Sequence, residues 1–468
     1  MVQCQTSLFT FTPSNMLQYI KYLLQNSNGE RKGIQSISMV FETNIRNAIL
    51  MVEKGEVATV YLSAVEFIAD QMYFGLRVER INTSVLEELI SEFNKKRHAE
   101  INAKKFLNTC SNARIFKEYI DSFNVGFYDK NTYAYFVAKS INKELEKNQS
   151  DQRKLNYVIE HICFGINDII ILFLSFIRSN TNIVLKIADQ ITDLLQEYPE
   201  WDFDTKNIPF LHQSPEMPTN TPSSQEKKNA HEQIEKVEKE RHDIIKFRGI
   251  FDFDEEDVNK NTYKILRALK FLQLVGRAFV DQYGELDAEE IDKIVNVLFS
   301  GTQRLVFAIL KPYQDRINDI VCSIVKFSKQ EFPDEAIDEK GAIELLGQVG
   351  TLLALNLMND IAFNASNGST IIALRDAPIA SANHSIFELM AEENTGNTST
   401  FVSKAIALRT ELESNSYAKM LIAQIARKHI IYTANIDHRQ IDKLLSGKVI
   451  AAESKPILLL EQGKKSKG

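Results

Sequence analysis

The sequence predicts a mainly α-helical protein with one small strand-containing module near its N-terminus. Two observations carry that expectation. Ten prolines and eighteen glycines in 468 residues are too few for an all-β architecture, which needs a turn every ten residues or so. Apolar residues recur at steps of three and four along most of the chain, the period of a helix face. With 44% hydrophobic and 25% charged residues, the composition is globular, and the length suits about three domains.

The N-terminal part reads as helix over "NMLQYIKYLL", "VFETNIRNAILMV", "TVYLSAVEFIADQMYFG" and "NTSVLEELISEFNKKRHAEI", the last opening with Asn82 or Thr83 as its cap. "NARIFKEYI" and "FNVGFYD" then set aromatic and β-branched residues around Gly126, the pattern of one small hairpin. Helices followed by a minimal hairpin outline a winged helix. The apolar run from Ile169 to Ile177 stops at Arg178 after about half a membrane span, so it reads as a buried helix.

A break follows from His212 to Gln225, where three prolines stand among Ser, Thr and Asn. Ser223 and Glu226 then have capping-box spacing, and Glu232/Lys236 and Glu235/Lys239 have the favourable i,i+4 order of an exposed connecting helix. Beyond it the chain is expected to bury three helical stripes. These are Ile265, Ala268, Leu272, Val275 and Phe279, stopped by Gly284; Leu346, Val349, Leu353 and Leu357; and Tyr417, Leu421 and Ile425. No recognisable phrase repeats at a fixed period, so the named solenoid repeats are not expected. The resulting division is a small helical domain over 1–54, a winged-helix-like domain over 55–130 and a first superstructure part over 131–211. A linker with a charged helix over 212–250, a C-terminal helical domain over 251–452 and a tail over 453–468 complete it.

The net charge of −7 and pI of about 5.8 provide no global field to recruit nucleic acid or an acidic membrane. Cys4, Cys110, Cys163 and Cys322 lie far apart without paired spacing, which suggests neither a disulfide framework nor a zinc knuckle and fits a reducing cytoplasm. The start, "MVQCQTSLFTFTPSN", lacks the basic end and long apolar core of a signal peptide.

Catalytic patterns are incomplete wherever they begin. "SGKVI" and "GKKSKG" lack the leading glycine and following hydroxyl with which a phosphate loop wraps a nucleotide. His98 and Glu100 stand without the Pro-Cys-x-x-Cys half of a zinc deaminase. Asp252, Asp254 and Glu256 alternate like calcium ligands, but Asp257 occupies the glycine position and Tyr263 that of the final glutamate. Arg153 and His161 resemble the pair of small helical ribonucleases, at a wider spacing. His429 and His438 are too far apart to meet on one metal within a helical turn. No catalytic residue, metal or resident cofactor is therefore expected.

The phrase "FNVGFYDKNTYAYFVAKSI" resembles the end of the winged-helix domain in STAND NTPases, the signal-transduction ATPases that include NACHT proteins. There a wing strand with phenylalanine is followed at once by a helix carrying aromatics and a terminal alanine. Phe127 matches the strand phenylalanine, and Tyr135, Phe136 and Ala138 match the helix. "NDIIILFLSFIRSNTNIVLKIADQI", "ILRALKFLQLVGRAFVDQYGEL" and "NSYAKMLIAQIARKHIIYTANIDHRQIDKLL" are similar, in order, to the superhelical region of a bacterial subgroup, so the likeness runs from Pro13 to Leu445. Asp129 stands where many NACHT proteins carry a phosphate-sensing histidine, and a carboxylate there would repel a diphosphate.

The resemblance implies a chain that begins where the NTPase core ends. It would be a non-catalytic regulatory and ligand-sensing region, plausible in bacterial antiviral defence, with a protein ligand or a separate NTPase core polypeptide as partner and homo-oligomers allowed. Pro13 would approach the nucleotide base only if such a core were supplied. The alternative is a stand-alone helical scaffold that binds protein partners without nucleotide. Neither nucleic acid nor membrane is expected as a partner.

Overall fold

The computed structural model describes residues 37–53, 55–119, 123–147, 152–178, 181–202, 208–213, 259–377, 381–396 and 398–432, with isolated positions from 225 to 232. Pro13, the capping box at Ser223, the acidic run at Asp252, His438 and the tail lie outside them. The described chain is mainly helical. Two compact units are formed, one from Met1–Trp201, His242–Ile309 and Asp360–Ala377, the other from Asp202–Arg241, Leu310–Asn359 and Pro378–Gly468.

The first unit begins with α1 (Ile37–Val52) and α2 (Glu56–Asp70), which runs on as a π-helical turn, Gln71–Leu76. Strand β1 (Arg80–Asn82), helices α3 (Thr83–Arg97) and α4 (Ala103–Asn112), and strands β2 (Phe116–Tyr119) and β3 (Asn124–Phe127) follow. Local polar side chains set these boundaries. Asn82 caps α3 by accepting from the Val85 amide at 2.8 Å, and Asn102 caps α4 through the Lys105 amide at 2.9 Å. Between them the Asn94 amide both donates to and accepts from the Ile101 backbone, at 3.0 Å each way, fixing the turn. The basic last turn of α3, Lys95 to Arg97, complements its helix dipole.

The sheet is antiparallel with order β1-β3-β2, pairing Ile81 with Val125 and Phe116 with Phe127. The β2–β3 hairpin is where the sequence places it. Strand β1 is an addition, because three residues are too short to display a period of two. Gly126 permits the central position: a Cβ there would lie 2.9 Å from the Glu79 carbonyl oxygen.

Helices α5 (Lys130–Lys147), α6 (Arg153–Glu160), α7 (Asn167–Arg178) and α8 (Thr181–Leu195) continue the first unit, joined by α9 (Lys260–Gln282). Seven consecutive residues of α5, Thr132 to Ala138, are buried, and so are seven of α7, Ile170 to Phe176. A helix buried all round must be enclosed by others; α5 packs on α2 and α7, and α9 packs on α7 and α8. The α9 stripe is buried as expected at Ala268, Leu272, Val275 and Phe279, while Ile265 is half-buried.

α10 (Ala288–Asp315) and α12 (Glu339–Ala365) each contribute residues to both units; α11 (Ile317–Glu331) belongs to the second, α13 (Thr370–Asp376) to the first. In the second unit α14 (Ala382–Asn394), α15 (Thr398–Glu411) and α16 (Ser416–Tyr432) pack on one another. Tyr417, Leu421 and Ile425 of α16 are buried.

The stripe expected on α12 is not its buried face. Val349 is 55% exposed, and Leu346, Leu353 and Leu357 are half-buried. Buried instead are Ala342, Gly347, Gly350, Thr351, Ala354, Leu355 and Met358, followed by Ile361, Ala362, Asn364 and Ala365 in the last turns. The cause is what packs there. Phe210 and Leu211 lie so close to Gly350 that a Cβ would meet them at 2.9 and 2.7 Å, and Thr351 Oγ1 is 3.0 Å from the Tyr417 hydroxyl. In the first half of α12 small residues occupy the closest approach, and Leu346 and Leu353 are only half-buried.

Candidate functional site

The candidate site is the aromatic junction where β3 gives way to α5. The strand ends with Tyr128 donating its amide to Ile115 O at 2.8 Å. Asp129 then caps the new helix, its Oδ1 accepting from the Thr132 amide at 2.7 Å. The switch from strand to helix is therefore made by one carboxylate. It is the residue the sequence comparison marked as unsuited to a phosphate.

Around this corner Phe127 stacks on Tyr133 with centroids 4.6 Å apart and planes at 8°. Phe116 lies 4.9 Å from Phe127, and Phe136 lies 6.1 Å from it. Tyr135 meets Phe136 edge-on at 5.2 Å and Phe173 of α7 at 5.5 Å. Of the sequence-predicted residues, Phe127, Tyr135 and Phe136 thus join one cluster. Ala138 is fully buried on the same helix.

A second layer fixes this cluster and was not legible beforehand. Tyr133 donates to the Val78 carbonyl at 3.2 Å and meets Tyr73 edge-on at 5.8 Å. The Tyr73 hydroxyl donates to Asn167 Oδ1 at 2.6 Å, and Asn167 Nδ2 donates to His161 O at 2.9 Å. Burial raises the Tyr73 hydroxyl well above its ordinary pKa, with the Asn167 bond opposing. At the edge Lys154 bridges Asp70 at 2.5 Å and Glu144 at 2.7 Å, while Ser140 donates to the same Asp70 oxygen at 2.7 Å. Burial pulls the Lys154 pKa down, but its bonds to Asp70 and Glu144 outweigh that and hold it above the ordinary value. The junction is therefore an apolar cluster bordered by ionic contacts that link α2, α5 and α6.

The two described cysteines and the Arg153/His161 pair of this unit are not arranged as a catalytic group. Burial pushes the Cys163 thiol up to about 11 and raises the fully buried Cys110 thiol as well. Arg153 opens α6 and His161 follows its end, about 12 Å apart at 1.5 Å per residue. The His161 ring stacks on Tyr157 at 4.3 Å, and its Nδ1 is 2.7 Å from the Tyr157 carbonyl. His98 is the left-handed C-cap of α3. Among the described residues no three His, Cys, Asp or Glu side chains converge as a metal site.

Two further polar places went unforeseen. Ser381 Oγ and His384 Nδ1 are 2.7 Å apart at the start of α14, where Ser381 is the N-cap. Asp281 of α9 is half-buried, and its desolvation drives the carboxyl up to about 7 despite the opposing charge of Arg277. No protein-family model, curated protein or solved structure matches this chain.

Proposed function

We propose that this chain is a non-catalytic regulatory and ligand-sensing region of a STAND-type signal-transduction NTPase, working in the cytoplasm in bacterial defence. The observation that carries the reading is the β3–α5 junction, where Phe127 on the strand and Tyr133, Tyr135 and Phe136 on the helix make one buried cluster. Supporting it, the order α2-β1-α3-α4-β2-β3 with sheet order β1-β3-β2 is compatible with a winged helix, in which β2 and β3 would be the wing. The wing would report to an NTPase core, and α5 would carry the signal from the helical superstructure. Because Asp129 is engaged as a helix cap, the wing itself would not sense a phosphate. Relay of this kind needs contacts that differ between two states.

The second reading is a stand-alone helical scaffold that binds protein partners. It is favoured by the apolar side chains left outside on α12. The two are separated by co-expressing the chain with the product of the reading frame immediately upstream of Met1 in its source genome. A product containing Gly-x-x-x-x-Gly-Lys-Ser/Thr that co-purifies, and whose ATP hydrolysis changes on binding, supports the regulatory reading. No such frame, or an NTPase indifferent to the chain, removes it and leaves the scaffold.

A further inference from the structure

The net charge of −7 gives the chain no overall positive field, but its charges are unevenly spread. Residues 94–117 carry seven lysines and arginines against one acid, Glu100. The bonds between Asn94 and Ile101 fold the last turn of α3 back to the start of α4, so five of these cations, Lys95 to Arg97 with Lys104 and Lys105, share one corner. From there α4 buries Phe106, Thr109 and Cys110 and exposes Lys104, Asn108 and Asn112 at successive steps of four. Arg114 and Lys117 carry the series on to the edge strand β2. Lys96 pairs with Glu92 at 2.6 Å and Lys105 with Glu53 at 2.8 Å. Lys95, Arg97, Lys104, Arg114 and Lys117 are exposed without a carboxylate partner among the described residues.

The sheet adds a second cationic place. Arg80 on β1 and Lys117 on β2 both pair with Gly126 of β3, so their side chains leave the same face in one row. Tyr119, two residues beyond Lys117, shares that face, with the Arg80 guanidinium 3.9 Å and the Lys117 ammonium 5.3 Å from its ring centre. Two cations drawn to one ring repel each other, and a phosphate beside them turns that repulsion into attraction.

We propose that α4 and the β2–β3 hairpin bind duplex DNA, with the exposed face of α4 in the major groove and the flanking cations on the phosphates. Shape, donor chemistry and polarity select this occupant. A helix is about 10–12 Å across and the B-form major groove about 12 Å wide, whereas the deep groove of duplex RNA is too narrow for it. The Asn108 and Asn112 amides both donate and accept, as base edges require, and the cations at the two ends of α4 suit the phosphates on either side of a groove. Between Arg80 and Tyr119 no large apolar side chain is exposed among the described residues, where a lipid-binding face carries apolar side chains to insert.

The inference holds whether or not the chain serves an NTPase. It is tested by fluorescence anisotropy of a labelled DNA duplex of about 20 base pairs, titrated with the full chain at about 50 and about 200 mM salt. The expected result is saturable binding that weakens steeply with salt. Lys104→Glu/Arg114→Glu should lower the affinity more than about tenfold and reduce the salt slope by about two, while Lys104→Arg/Arg114→Lys retains most of the binding. Lys326→Glu/Lys340→Glu makes the same change of charge on exposed residues of the other unit and should leave the affinity within about twofold. Circular dichroism matching the parent verifies that each variant keeps the fold. Absence of binding at the lower salt overturns the proposal, as do equal losses in the two glutamate pairs. Polyglutamate that competes as well as unlabelled DNA also overturns it and assigns the surface to an acidic protein.

Discussion

At the scale of single residues, the β3–α5 corner rests on a few side chains whose loss is measurable. Asp129→Ala removes the cap of α5 and is expected to cost about 0.5–2 kcal/mol in urea unfolding, while Asp129→Asn retains most of it. Equal losses in both would mean that the carboxylate acts through its charge and not as an acceptor. Phe127→Ala empties the stack between Phe116 and Tyr133 and should cost about 3–5 kcal/mol; a loss under 1 kcal/mol would show that the cluster is loosely packed. The sequence made this corner legible because its aromatics are contiguous, whereas Asp129 as the cap of α5 came only with the structure. It could not reveal Tyr73 bonded to Asn167 or Lys154 bonded to Asp70, since neither partner follows from local pattern.

At the scale of elements, helix existence was readable and helix orientation only sometimes. The amphipathic α9 and α16 declared their buried stripes. The α12 helix is apolar on nearly every face, so periodicity could not choose among them, and in its first half the choice fell to Gly350 and Thr351, where neighbours approach. The same logic governs Gly276 of α9, where a Cβ would lie 3.1 Å from the backbone of Asn364 and Ala365. Arg277 donates to Asn364 Oδ1 at 2.6 Å beside it. Intrinsic helix propensity favours replacing this glycine by about 1 kcal/mol, but backbone cannot yield as a side chain can. Gly276→Val is therefore expected to lower the thermal midpoint, with a stability loss of about 1–3 kcal/mol from overpacking. A raised midpoint would show that α9 and the end of α12 are free to separate.

At the scale of the whole molecule, one buried or half-buried group in each unit contributes a pH dependence of opposite sign. His429 in the second unit stacks on Phe401 at 4.2 Å, and burial, aided by Lys428, lowers its pKa from 6.5 to about 4. A depressed histidine contributes stability that is complete above about pH 6.5 and is lost as pH falls toward 4, on the order of 3 kcal/mol. Asp281 in the first unit is raised from 3.8 to about 7, so its contribution is complete below 3.8 and is lost as pH rises to 7. Hydrogen exchange read separately for α16 and α9 should show these opposing trends. His429→Gln should flatten the first and Asp281→Asn the second; unchanged slopes in the variants would assign the trends to other groups. The discontinuous make-up of the first unit also bears on how the chain is made. The apolar faces of α7 and α8 are closed by α9, so a nascent chain that has released residue 195 must wait for residue 260 and beyond. Through that interval Ile183, Val184, Ile187 and Ile191, all buried in the finished fold, lack the cover that α9 gives them.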